Sequence, residues 1–256
     1  MALSGKTWSR PTIYVTNDGG IHWKKQFAFS ATVYMSLLDM ISAQDGWAVI
    51  SSTLYRTSDG GAHWTAVALP AHDVRDHFDF TSATCGWVTV EGSATSTPAR
   101  VLATNDGSHF HTILISQNGI GDVTVNARGS GEVLEGGTGA TLQFGPVLRT
   151  SDDGRTWSVI TTTAVLTKGG AFGYTGGMAF NGSTGWIGTN NGSQGFEPIG
   201  LLVTSDGGIA WHAVAAKLGW VIQKIAMTGP GQGWILASGL PGNSFLARTT
   251  DNGKHW

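Results

Sequence analysis

The sequence has few charged residues, a single cysteine and no long apolar run. One cysteine, Cys85, excludes an internal disulfide framework. No apolar run approaches the ~20 residues that a membrane helix needs, so we expect no membrane insertion. Charged residues make up 12% of the chain, the formal net charge is −2, and no Lys/Arg stripe is present. These features argue against nucleic acid as a partner.

A motif of the form Ser/Thr-x-Asp-x-Gly-x-x-Trp, here called the box, recurs along the chain, and residues 104–110 form a worn copy that ends in Phe. Successive box aspartates lie 41 to 54 residues apart, a period typical of a four-stranded propeller blade. Asp followed by glycines favours a tight hairpin turn, and the Trp favours a buried plug against the neighbouring sheet. The residues assigned this structural role are Asp18, Trp23, Asp59, Trp64, Asp106, Asp152, Trp157, Asp206, Trp211, Asp251 and Trp256.

A second signature, Gly-Trp followed by apolar residues, precedes most boxes, as in Asp45-Gly46-Trp47-Ala-Val. The fourth box is instead preceded by Gly131-Glu-Val-Leu134. Glycine supplies a turn, and Trp with β-branched residues favours a buried strand. Each unit therefore reads as strand, Gly-Trp strand, strand ending in the box, and a fourth strand after the box Trp. We predict an all-β propeller of four-stranded antiparallel blades with about six box repeats.

The predicted organisation is one propeller domain over residues 1–256. The blades are expected at about 1–30 (partial), 31–70, 71–116, 117–163, 164–216 and 217–256. The first recognisable element is already a third strand, and the sequence stops where a fourth strand would open. This pattern favours a fragment, truncated at both ends, of a longer protein. The localisation is left open, with an extracytoplasmic site favoured if that protein is exported.

The box resembles the bacterial neuraminidase repeat, or Asp-box. Gly46-Trp-Ala-Val49 together with Leu54-Tyr-Arg-Thr-Ser-Asp-Gly-Gly61 resembles the photosystem II stability/assembly factor family and its non-photosynthetic bacterial relatives, and the resemblance covers roughly residues 12–256. It implies a non-catalytic propeller that binds a protein partner without a cofactor. The same box also occurs in sialidases, xyloglucan-cleaving glucanases and sortilin-like receptors.

In a propeller, the boxes and the turns between first and second strands share one face, while the long irregular segments collect on the other. Loops on a rigid scaffold commonly carry binding, so we place the candidate site on that long-loop face. The candidate binding residues are His72, Asp73, Arg75, Asp76, His77, Arg100, Phe144, Tyr174 and Phe196. The stretch from His72 to Asp79 could ligate a metal or supply an acid–base pair, but its spacing matches no metal motif and a solvated connection explains it better. We therefore predict no metal site.

Arg56, Arg149 and Arg248 occupy the same repeat position, just before the box Thr. They could form an arginine patch for an acidic partner, as the family resemblance implies. The alternative, which we favour, is that they bond carbonyl groups between blades.

Three functions are compatible with this sequence. The first is a non-catalytic binding or assembly propeller that presents its long-loop face to a protein partner. The second is a sialidase-like or other glycoside hydrolase, which would need an arginine triad, a Tyr activated by a Glu, and a separate acid, or else paired carboxylates. Few free acids remain after the box aspartates are set aside, so we predict no catalytic residues and no enzyme. The third is a carbohydrate-binding or cell-surface adhesion module that stacks aromatic residues on a surface glycan.

Overall fold

The computed structural model describes residues 2–4, 10–30, 36–70, 74–90, 98–127, 129–136, 144–169, 174–191, 197–214, 220–239 and 244–256. The chain divides into two compact units, Met1–Ile113 and Leu114–Trp256. The prediction of one domain over 1–256 stays a prediction.

The first unit contains three antiparallel sheets. The strands of the first sheet are β1 (Ala2–Ser4), β2 (Thr12–Val15) and β3 (Lys24–Ala28), in that order. Those of the second are β4 (Ser36–Met40), β5 (Gly46–Ile50), β6 (Thr53–Thr57) and β7 (Thr65–Ala66). Those of the third are β8 (Val74–Phe80), β9 (Gly86–Val90), β10 (Ala99–Thr104) and β11 (His111–Ser116), whose end runs past Ile113.

The second unit continues the same plan. Its first sheet contains β12 (Ile120–Ala127), β13 (Ser130–Gly136), β14 (Phe144–Thr150) and β15 (Ser158–Thr161), followed by the helix α1 (Thr163–Gly169). Its second sheet contains β16 (Tyr174–Asn181), β17 (Thr184–Asn191), β18 (Glu197–Thr204) and β19 (His212–Ala213). Its third contains β20 (Trp220–Gly229), β21 (Gln232–Gly239) and β22 (Ser244–Thr249).

The chain is an all-β propeller with four-stranded antiparallel blades, as the repeats predicted. Among the described residues, five sheets begin with a first strand and continue in chain order, so the prediction of about six blades is wrong and the structure has five. The sheet β1–β3 holds only the equivalents of second, third and fourth strands. Counting boxes overestimates blades because a box needs only the turn between a third and a fourth strand.

The described elements that the strand pattern did not predict are the helix α1 and the strand β1, which precedes the first expected strand at Thr12 and pairs with it. Leu166 of α1 is fully buried and packs with Leu134 and Val147 of the preceding sheet. A run of only seven residues is too short to show a helical period. Within the described parts of the chain, no helix is long and apolar enough to cross a bilayer.

Each box turn is held by its own side chains. Thr57 Oγ1 donates to Asp59 Oδ1 at 2.9 Å, and the same carboxylate oxygen accepts the backbone N–H of His63 at 3.0 Å. Gly60, at φ +71°, donates its N–H to the Gln44 carbonyl in the turn between β4 and β5. The box turn and the first turn of the blade are therefore joined directly on one side of the sheet.

Box tryptophans such as Trp64 and Trp211 anchor their turns to the preceding sheet. Trp64 donates its indole N–H to the Gly61 carbonyl at 3.1 Å and packs with Ile13 and Phe29. Trp211 donates to Thr161 Oγ1 of the preceding sheet at 3.0 Å and is 6% exposed. The box thus acts as a packing device between sheets.

Candidate functional site

The three repeat arginines are placed by strand register opposite the second residue of the Gly-Trp signature. Arg56 on β6 pairs with Trp47, and Arg248 on β22 pairs with Trp234. Arg149 on β14 pairs with Glu132, which stands where the other repeats have Trp. Because cross-strand partners project from the same face of a sheet, each guanidinium lies against its partner side chain.

Arg56 lies at a cleft in the first unit. Its guanidinium carbon is 5.5 Å from the centre of the Trp47 ring, a cation–π arrangement. One guanidinium nitrogen, Nη1, lies 2.9 Å from the position that a Cβ on Gly107 would occupy. The buried Nε–H has no hydrogen-bond partner.

The cleft has a volume of about 470 Å³. Its lining residues come from the box turn, the strand that follows it, and the next box turn along the chain: Arg56, Thr57, Ser58, Asp59, His63, Thr65, Ala66, Val67, Ala68, Gly107 and Ser108. A volume of this size admits a short peptide segment or a small ligand. The cleft lies on the box side of its blade, whereas the sequence placed the candidate site on the long-loop side.

Asp59 and His63 line this cleft as an exposed pair, with His63 Nδ1 2.6 Å from Asp59 Oδ2. The backbone and side-chain hydrogen bonds from His63 lower the pKa of Asp59 to about 2. The carboxylate is therefore ionised at neutral pH and acts as an acceptor, so it does not supply the raised pKa that a general acid needs.

Arg149 has a different partner. Its Nε lies 2.8 Å from Glu132 Oε1, and Asn126 Nδ2 donates to both Glu132 oxygens at 3.0 Å. Glu132 is 1% exposed, and its burial raises its pKa against the opposing effects of Arg149 and Asn126. The Arg149 guanidinium also lies 5.4 Å from the centre of the Phe180 ring. This arginine is held inside the second unit by a buried ion pair.

Arg248 is exposed and lies 5.8 Å from the centre of the Trp234 ring. The structure thus gives all three arginines aromatic contacts, which sequence reasoning did not consider. Arg56 belongs to the first unit and the other two to the second. A common arginine patch and the carbonyl-bonding alternative both stay predictions.

The residues proposed on the long-loop side are placed as follows. His72, Asp73 and Phe196 lie outside the described residues. Arg75, Asp76 and His77 lie in β8, which begins at Val74, so most of the stretch from His72 to Asp79 is a strand and not the connection that the sequence suggested. Phe144 and Tyr174 are the first residues of β14 and β16, where long loops were expected. Of this group, Arg100 on β10 has a buried Nε–H without a partner.

Sequence reasoning missed Glu132 and Gly107. Aligning the Gly-Trp signatures could have found Glu132, because it is the one charged residue among their second positions. No local pattern reveals Gly107 as a cleft residue, since its neighbour Arg56 belongs to the preceding blade. Among the described residues, no group of three or more His, Cys, Asp or Glu side chains is arranged to hold a metal ion.

No protein-family model matches the chain, and no curated protein matches it. Solved structures do. A structure of YCF48 bound to a D1 peptide has a TM-score of 0.54 and 20% identity, over 85% of this chain and 65% of that one. YCF48 from Cyanidioschyzon merolae has a TM-score of 0.51 and 18% identity, over 83% of this chain and 71% of that one.

A GH74 enzyme from Niastella koreensis has the higher TM-score of 0.66 at 13% identity, over 95% of this chain and 42% of the enzyme. The chain therefore spans about two thirds of the length of the first YCF48 and less than half of the GH74 enzyme. At these identities the similarity shows the propeller fold and leaves the choice between a binding protein and an enzyme open.

Proposed function

We propose that this chain is a non-catalytic binding propeller that holds a segment of a protein partner, and that Arg56 receives a carboxylate of that segment. The observation that carries the proposal is the Arg56 cleft, in which a cation stacked on Trp47 lines a cavity of about 470 Å³. A carboxylate is the group that a guanidinium binds most strongly, because two parallel N–H donors match its two oxygens.

The cleft also provides a surface for a peptide backbone. Its wall includes Thr65, Ala66 and Ala68, which are exposed residues at and beyond the outer strand β7. The ionised Asp59 lines the same cleft as Arg56, so the cleft presents both signs of charge. This arrangement favours a segment that has an acidic group next to a polar donor over a purely anionic ligand.

Two further observations support a binding function. A YCF48 structure with a D1 peptide bound is among the structural neighbours, and the sequence resembles the assembly-factor family. In addition, the box aspartates are committed to their own turns. Hydrogen bonds within those turns hold the pKa of Asp18, Asp59 and Asp152 at about 2. Such carboxylates are poor candidates for the paired acid and base of a glycosidase.

The test is peptide binding measured by fluorescence polarisation. The probes are labelled peptides that contain one Asp or Glu between small residues, each compared with its Asn or Gln counterpart. Arg56→Ala is expected to weaken binding of the acidic peptides at least about tenfold, as loss of a charge-assisted pair implies. The control Arg155→Ala removes an exposed arginine of a box turn that does not line the cleft, and it is expected to leave binding unchanged.

Two results would count against the proposal. Equal loss of binding in both arginine variants would assign the effect to net charge alone. Turnover of a sialoside or xyloglucan substrate by the purified chain, abolished by Arg100→Ala, would make the chain an enzyme.

A further inference from the structure

The sheet β20–β22 has one face that packs and one face that is exposed. Ile225, Ile235 and Ala237 pack in one cluster with Trp186 and Leu201 of the preceding sheet. On the other face, Trp234 is 41% exposed and Leu246 is 67% exposed. At the position equivalent to Trp234, Trp47 and Trp186 are fully buried. The Trp234 face is therefore the uncovered half of a contact that the repeat makes elsewhere.

The first unit shows what covers this position. Trp47 stacks on Phe80 of the following sheet, with ring centres 3.9 Å apart and planes at 11°. Its partner Arg56 reaches the glycine after the box aspartate of that sheet, Gly107, where an added Cβ would lie 2.9 Å from Nη1. In the second unit, Nη1 of Arg149 lies 3.5 Å from the position that a Cβ on Gly207 would occupy. An arginine on one sheet thus faces an Asp-Gly box turn on the next.

The sheet β1–β3 has the other side of this contact exposed, namely an Asp-Gly box turn that no arginine among the described residues covers. Its box tryptophan, Trp23, is 46% exposed, whereas Trp64 and Trp211 are 9% and 6% exposed because each packs on a preceding sheet. A Cβ on Gly19 would meet nothing within 4 Å. This box has the Asp-Gly form, and the space above its glycine is open.

The contact between two neighbouring sheets is made in two alternative ways. In one, an arginine lies opposite the Gly-Trp tryptophan; in the other, a side chain follows the box aspartate of the next sheet. Trp186 has Val203 opposite it, and its indole N–H donates instead to Asn252 Oδ1 at 2.5 Å. Asn252 follows the box aspartate of the next sheet and adopts φ +62°. Arg248 on the uncovered face accordingly requires a partner box with glycine at this position, and Gly19 meets that requirement.

We propose that the face formed by Trp234, Leu246 and Arg248 is a docking surface for a second copy of this chain, which presents its sheet β1–β3 and the box turn 16–23. The contact reproduces the arginine-to-box part of the sheet-to-sheet packing already present within each unit, without the first strand that supplies Phe80 in the first unit. The charges are complementary, since the exposed Arg248 guanidinium would face the Asp18 carboxylate. Because the two faces differ, the contact is head-to-tail and joins copies into rings or open chains.

The test is sedimentation velocity of the whole chain at increasing protein concentration. The wild-type chain is expected to associate progressively up to ~100 μM, a concentration at which contacts with micromolar Kd are largely formed. Leu246→Lys places a charge on one face. Gly19→Asn fills the space for Arg248 on the other face with a residue that tolerates positive φ. Each substitution is expected to weaken association at least about tenfold.

Mixing these two variants is the sharper measurement. The Leu246→Lys chain keeps an intact first sheet and the Gly19→Asn chain keeps an intact Trp234 face, so the mixture is expected to form a 1:1 complex that does not grow. Adding Arg248→Val to Gly19→Asn recreates the pairing seen between Trp186, Val203 and Asn252, and is expected to restore association. Ile209→Lys is the control, because Ile209 is 73% exposed and lies on neither face. Circular dichroism spectra of all variants must match that of the wild type.

Three outcomes would overturn the proposal. The first is a wild-type chain that stays monomeric over the whole range. The second is association that Leu246→Lys abolishes and Gly19→Asn does not affect, which indicates a symmetric contact. The third is a mixture of the two variants that forms no 1:1 complex.

Discussion

The buried pair Glu132–Arg149 gives the most quantitative expectation for stability. Glu132 is 1% exposed and accepts hydrogen bonds from Arg149 and Asn126. The Arg149 guanidinium lies over the Phe180 ring. Removing one member of a buried ion pair costs about 3–5 kcal/mol, because the other charge is left without a partner. The Arg149 side chain is 30% exposed and regains some hydration, so we expect the lower end, about 3 kcal/mol, for Glu132→Ala.

The revealing comparison is Glu132→Trp, which restores the residue found at this position in the other repeats. In the first unit Arg56 stacks on Trp47, which in turn stacks on Phe80. Arg149 and Phe180 provide the same surroundings, so the tryptophan is expected to cost less than about 1.5 kcal/mol in spite of its size. Urea denaturation followed by far-UV circular dichroism measures both variants, with an unchanged m-value as the control for an intact native state.

Two results would refute this reasoning. If Glu132→Ala is as stable as the wild type, Arg149 does not depend on Glu132. If Glu132→Trp lowers the free energy of unfolding as much as Glu132→Ala does, the surroundings of position 132 do not accept the tryptophan found in the other repeats. A double-mutant cycle with Arg149→Ala supplies the coupling energy directly.

Other expectations follow from the box turns. Hydrogen bonds in its turn hold the pKa of Asp59 at about 2, below the ordinary 3.8, so the stability that it contributes is present above pH 4 and lost as the pH falls toward 2; urea midpoints of Asp59→Asn are expected to vary less with pH in that window. Gly107→Ala would bring a Cβ within 2.5 Å of a backbone oxygen and is expected to cost more than the ~1–2 kcal/mol of left-handed strain that Gly19→Ala alone bears, since the latter has open space. Trp211→Phe loses hydrogen bonds to Thr161 Oγ1 and the Gly208 carbonyl and is expected to cost about 1–3 kcal/mol, measured by thermal unfolding.

The parts of the fold that depend on local sequence could be predicted. The run Thr12–Val15 is a strand in the structure, and so is Thr53–Thr57, because β-branched and aromatic residues end at a box in both places. The box turns follow from an Asp and the glycines after it. Sequence reasoning missed β1, the start of β8 at Val74 and the helix α1, since a three-residue strand, polar residues at a blade edge and a seven-residue helix carry no recognisable period.

The candidate site depends on contacts between distant parts of the chain. The cleft forms because Arg56 meets the turn at Gly107, some fifty residues later in the sequence. Repeat alignment shows that Arg56, Arg149 and Arg248 are equivalent, but only the coordinates show that their partners differ. The residue opposite each arginine differs. Arg56 stacks on Trp47 in a cleft, Arg149 forms a buried ion pair with Glu132, and Arg248 lies exposed over Trp234.

The box carboxylates are bonded to their own turns, so they are not available for chemistry. NMR titration of the aspartate side-chain carboxyl carbons tests this directly. The account predicts that Asp18, Asp59 and Asp152 titrate with a pKa of about 2. Values at or above 3.8 for these residues would show that the carboxylates are free of their turns, and would contradict it.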